Sequence, residues 1–281
     1  MMNLIYRYAA AAALLASVAF AQPKPKSQKE LDALMAIQNT QDPDARIAAV
    51  DSLLTKFADT EFKGWALFMA AASAQQKNDF EKLVIYGDRT LEADPKNFQV
   101  MVMLASATAQ RTREFDLDKE EKLGRAEKYA NQALEVAKTA VKPNPQIPDE
   151  QWEAGKKDGA SEAHAALGQI AMVRKKFDLA AQEYKTAADS AANPDPAILV
   201  RLANVYNQLK KPDDAIAALD KINAMPEVHP QVKAAAASER NISVKLKGGG
   251  SAPAATSPAA PATPSLAPVP SAPTTQPTPQ K

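Results

Sequence analysis

Apolar residues return every three or four positions through most of this chain, and no stretch alternates apolar with polar as a half-buried strand would. Ile47, Val50, Leu53, Leu54 and Phe57 fall along one helical stripe; Leu199, Leu202, Tyr206 and Leu209 form another. The stripes are cut at Asp42-Pro43, Asp94-Pro95, Pro143 to Pro148, Asn193 to Pro196, Lys211-Pro212 and Pro226 to Pro230. There proline stops one helix, and Asp or Asn can cap the next. The pattern predicts an all-α body over residues 22–247, built of about four or five helix pairs and a closing helix near 231–245. That last helix gathers Val232, Ala235, Ala236, Ile242 and Leu246 on one face, with Lys233, Glu239, Arg240 and Lys245 on the other, as the end of a stack should.

Two neighbouring stretches share one template. AHAALGQIAMVRKKFDLAAQEYKTAADSAANP starts at Ala163, and AILVRLANVYNQLKKPDDAIAALDKINAMP starts at Ala197. Setting Leu167-Gly168 on Leu202-Ala203 also sets Ala180 on Ala215, Tyr184 on Leu219 and Ala187 on Ile222, an offset of 35 positions. Small residues let two antiparallel helices approach, and the large ones fill the space between pairs. This resembles the tetratricopeptide repeat, of an exported bacterial type, whose period is about 34 residues. Leu202, Ala203 and Tyr206 match the family's first-helix pattern, and Ala180, Tyr184 and Ala187 its second; Ala171 departs from the first-helix aromatic. Upstream, GWALFMAAASAQQK with NDFEKLVIYGDRTLEADP reads as another pair, and FQVMVMLASATAQ with EEKLGRAEKYANQALEVAK as a third. Insertions are expected around 113–119 and 141–159; the stretch 27–60 is the faintest copy.

The resemblance implies an α-solenoid of antiparallel helix pairs wound as a right-handed superhelix, with a concave groove lined by the first helix of each pair that holds a peptide. It puts Trp65, Phe68 and Gln75 on that inner face, with Gln99, Val102, Ser106 and Ala109 beside them, then Gln169 and Met172, then Asn204 and Asn207. Amides can bond a peptide backbone without demanding charge, while Trp, Phe and Met offer adaptable apolar contact. For Phe68 and Val102, packing against the next repeat is the competing expectation. Some relatives grip a terminal carboxylate with a Lys and Asn pair; here Arg201 and Asn204 are present, but Val200 stands where the lysine would be. Trp152, in the second insertion, is expected to fold back over the neighbouring pair, with docking of a partner as the alternative.

The two ends differ from the body. Arg7, the apolar run from Ala9 to Phe20 and the sequence Ala19-Phe20-Ala21 read as a secretory signal over 1–21, which implies a periplasmic or secreted protein. Residues 248–281 are Pro, Ala, Ser and Thr with almost no charge, the composition of a disordered tail. The chain has no cysteine, which excludes disulfides, thiolate metal sites and a cysteine nucleophile. A net charge of +1 gives no electrostatic footprint for nucleic acid. Its two histidines, His164 and His229, have no partner at metal-ligand spacing, and no G-x-S-x-G or phosphate-binding glycine loop is present. No catalytic residue, metal or cofactor is therefore expected. The expected function is a non-catalytic scaffold or adaptor of the cell envelope with a protein or peptide partner; the alternative is a structural spacer or tether acting through the tail.

Overall fold

The computed structural model describes residues 23–142 and 146–249. The expected signal over 1–21 and all but the first two residues of the expected tail over 248–281 lie outside the described residues. Within them, all regular structure is helical. Five pairs follow one another: α1 (Gln28–Asn39) with α2 (Pro43–Lys56), α3 (Lys63–Gln76) with α4 (Phe80–Ala93), α5 (Phe98–Arg111) with α6 (Lys119–Thr139), α7 (Asp149–Val173) with α8 (Phe177–Ser190), and α9 (Pro196–Gln208) with α10 (Pro212–Asn223). A closing helix, α11 (Pro230–Lys247), ends the stack.

The helix starts follow from local chemistry. The side chains of Ser27, Asp42, Asp79, Asn97 and Asp195 each accept a backbone N–H from the first turn of the helix that follows. Proline occupies the first turn of α2, α9, α10 and α11, where its missing N–H costs nothing. Inside three of the pairs the same turn recurs. Asn78, Lys175 and Lys210 adopt left-handed backbone at φ 58°, 59° and 56°. The N–H of the next residue reaches back over the helix end, as in Asp79 N to Ala74 O at 2.9 Å, Lys176 N to Ala171 O at 2.8 Å and Lys211 N to Tyr206 O at 2.8 Å. The third pair has instead a longer loop at 112–118, the expected first insertion.

Small residues set the helix spacing. A Cβ at Gly168 would lie 2.9 Å from the ring of Tyr184, and one at Gly87 would lie 2.8 Å from Leu104. Ala126, Ala130, Ala180, Ala187 and Ala215 are shut from solvent at the same seams. Polar bonds then tie each pair to the next at about one repeat length. Tyr86 donates to Asp51 at 2.8 Å, 35 residues away, and Arg125 bonds Asp88 at 2.6 Å, 37 residues away. Lys77 pairs with Asp44, and Lys247 pairs with Asp213 at 2.6 Å, 34 residues apart.

The second insertion takes a definite form, and one expectation about the closing helix needs correcting. The expected insertion around 141–159 is helical from Asp149 onward, where it forms the beginning of α7 and takes that helix to 25 residues. From Asp149 the segment holds helix-favouring Glu, Gln, Ala and Lys and no proline, and Trp152 turns back to meet Phe98 edge-on at 6.0 Å between ring centroids. Glu239 does not lie on the solvent face of α11; it is 9% exposed, drawn inward by amides of α9.

Candidate functional site

First helices of successive pairs touch, α1 with α3, α3 with α5, α5 with α7, and α9 with the closing α11, whereas second helices meet chiefly through long side chains such as Arg125. A stack curves toward its closer side, so the first helices line the inner face. Along this face the structure brings together some of the expected residues and removes others.

On α3, Trp65, Phe68 and Gln75 are half-buried, the two aromatics resting on the hydrophobic core of the first three pairs. Of the expected residues on α5, Gln99 alone keeps partial exposure. Val102, Ser106 and Ala109 are 2%, 5% and 0% exposed, because the long α7 lies directly against α5. The open groove expected over those three positions is closed. On α7, Gln169 and Met172 are half-exposed. Tyr184 donates to Gln169 Oε1 at 3.0 Å, which leaves the amide N–H groups of Gln169 as its unused side.

On α9 the two asparagines serve the closing helix. Asn204 donates to Glu239 Oε1 at 2.8 Å, and Asn207 donates to Glu239 Oε2 at 2.9 Å and to the Glu239 carbonyl at 3.1 Å. Ser243 donates to Asn207 Oδ1 at 2.8 Å, and Asn207 is 1% exposed. These amides seal the end of the channel, and Asn207 is closed to a ligand as the molecule stands.

The structure adds one charged residue that sequence reasoning missed, Glu162, and sets it near Arg201, which the sequence offered only as part of a carboxylate grip. Glu162 and Arg201 are half-buried on α7 and α9. Burial pushes the Glu162 carboxyl up to about 7, helped by the nearby Asp195 charge and opposed by Ser106 and by Arg201. Arg201 Nη2 is buried with no hydrogen-bond partner among the described residues. Glu162 could have been found by helical spacing, since it lies two turns before Gln169.

The remaining candidates are structural. His164 Nδ1 lies 2.8 Å from Glu183 Oε2, and the His229 ring accepts from Gln231 N at 3.3 Å at the start of α11. No group of three or more His, Cys, Asp or Glu able to hold a metal occurs among the described residues. None of the described helices is long and apolar enough to cross a membrane.

No protein-family model matches the sequence, and no curated protein does. Solved structures do. A thermophilic TPR protein of Thermus thermophilus superposes with a TM-score of 0.52 at 18% identity, covering 75% of this chain and 98% of that one. A tetratricopeptide repeat protein from Parabacteroides merdae gives a TM-score of 0.40 at 12% identity, covering 79% and 93%. The fold of this chain is that of a tetratricopeptide-repeat α-solenoid, as the 35-residue internal offset implied.

Proposed function

We propose that the chain is a non-catalytic scaffold of the cell envelope, exported by its N-terminal segment, that holds a protein partner along the inner face of α3, α5 and α7. The observation that carries this reading is the row of half-exposed aromatic, amide and thioether side chains, Trp65, Phe68, Gln75, Gln99, Gln169 and Met172, on helices held rigid by their pairing. Aromatic and Met side chains give apolar contact that tolerates different sequences, and amides satisfy a backbone at modest desolvation cost. Export is favoured by the Arg7 to Ala21 pattern.

The test is site-specific photocrosslinking in intact cells, with the reactive side chain placed at Gln75 or Gln169 inside and at Ile85, which is 54% exposed on α4, outside. The inner positions should trap one defined polypeptide, Ile85 should not, and Trp65→Ala should reduce the trapping several-fold. Equal trapping from Ile85 refutes the assignment of the inner face. Fractionation of the same cells tests export: recovery with cytoplasmic markers refutes it.

A further inference from the structure

Two large apolar side chains stand almost wholly in solvent on the loop 112–118, Phe115 at 88% and Leu117 at 107% exposure. The loop beneath them is braced. The Arg113 N–H donates to Asp116 Oδ2 at 3.1 Å, and the Lys119 N–H donates to the Asp116 carbonyl at 3.1 Å. Lys122 pairs with Asp118 at 2.8 Å. The loop is also tied to the turns on either side: Arg111, at its base, donates to the Asn78 carbonyl of the α3–α4 turn at 2.8 Å, and Glu114 pairs with Lys175 of the α7–α8 turn at 2.5 Å. A single exposed apolar residue needs no explanation, but two together on a fixed protrusion form a knob. At the opposite edge of the same helix pair lies a groove of about 310 Å³, lined by Pro95, Met101, Asn131, Gln132, Glu135 and Val136. Met101 and Val136 give it an apolar floor, and amides and a carboxylate stand at its mouth.

We propose that Phe115 and Leu117 of one copy of this chain seat in the groove between α5 and α6 of a second copy, a head-to-tail contact. Knob and groove lie at opposite ends of α5, whose 14 residues span about 20 Å, so a molecule cannot fill its own groove with its own knob. The contact uses a different patch on each copy. One knob and one groove therefore stay free after each addition, and copies join in a row. Charge favours this occupant. Arg113 beside the knob and Glu135 at the groove's mouth are exposed and opposite in sign. Glu135 is held only by Lys138 three residues along its own helix, an exposed pair that is easily exchanged. A net charge of +1 on the chain leaves little long-range repulsion between copies. Glu114, Asp116 and Asp118 interleave with the two apolar side chains, which disfavours an anionic lipid surface in the same role. Two side chains make a small contact, so the association is of the weak, reversible class.

Sedimentation of the full chain over about 10 μM to 1 mM tests the contact. The average mass should rise with concentration. Phe115→Ala with Leu117→Ala removes the knob, and Asn131→Arg with Gln132→Arg fills the groove; all four positions are exposed, so helical circular dichroism should be unaltered. Each double variant alone should stay monomeric. Mixed together they retain one intact knob and one intact groove, and should form a one-to-one dimer that grows no further. A parent chain that stays monomeric throughout the range, a mass increase that survives in either variant, or a mixture that fails to pair or grows past the dimer each overturns the proposal. Flotation of a monomeric parent with phosphatidylglycerol vesicles, lost in the Phe115 and Leu117 variant, would assign the knob to lipid and overturn it as well. The photocrosslinking positions Gln75 and Gln169 lie outside the knob and the groove, so the contact between copies and the inner-face reading fail independently.

Discussion

Alanine in place of glycine should have opposite effects at two positions of this stack. In a helix interior the exchange is ordinarily worth about 1 kcal/mol of stabilisation, since glycine loses more backbone freedom on folding. At Gly124 on α6 nothing lies within 4 Å of the added Cβ, so Gly124→Ala should raise stability by about 0.5–1 kcal/mol. At Gly168 the Cβ would meet Cδ1 and Cε1 of Tyr184 at 2.9 Å and Cγ at 3.0 Å. The ring cannot withdraw cheaply, being 1% exposed and fixed by its bond to Gln169. Overpacking of this kind costs about 1–3 kcal/mol, which offsets or exceeds the helical gain. Gly168→Ala should therefore fall about 1–3 kcal/mol below Gly124→Ala in urea unfolding followed by circular dichroism. Tyr184→Leu, which removes the obstructing ring, should erase most of the difference in a double-mutant cycle. Equal stabilisation by the two alanines would show that the close approach of α7 and α8 is not what the glycine serves.

Glu162 gives a pH signature. Burial raises its folded-state pKa from 4.5 to about 7, so the stability it contributes is complete below about 4.5 and is lost as the pH rises through 7. Glu162→Gln should gain up to about 3 kcal/mol over the parent at pH 8 and nothing near pH 4.5, measured by urea midpoints across that range. A gain that does not vary with pH would contradict the buried-carboxyl reading. Glu239→Ala should cost about 1–3 kcal/mol by stripping Asn204 and Asn207 of acceptors, with hydrogen exchange accelerated first in α11; uniform acceleration along the chain would refute the sealing role. Lys210→Gly, at φ 56°, should stabilise by about 0.5 kcal/mol, and a loss would show that the left-handed turn is not strained by its side chain.

The repeat was legible in the chain because its spacing depends on residue size. Gly168 and Ala180 have to be small and Tyr184 large for two helices to nest, and that demand recurs 35 positions later in Ala203, Ala215 and Leu219, while Ile222 departs from the small Ala187. The inner face was legible only in part. Trp65, Phe68, Gln75 and Gln169 follow from helical phase within one pair, but Val102, Ser106 and Ala109 are covered by α7, whose extra turns come from a segment whose two glycines resemble loop punctuation. Asn204 and Asn207 were placed on the correct face, yet their partner, Glu239, lies 35 and 32 residues away on a helix whose own polar pattern pointed that carboxylate outward. Within-pair phase can be counted along the chain; contacts between pairs depend on helix lengths and on which polar groups find each other.

The unequal seams of the stack give it unequal compliance. The junction between the third and fourth pairs is braced twice, since α7 lies on both α5 and α6, while the junction between the second and third is the slimmest of the stack, α4 and α3 meeting α5 with less shared surface. On its outer side that slim junction is strapped by Asp88 to Arg125 and Tyr129. Mechanical strain along the stack should therefore be taken up first at that junction, leaving each pair intact.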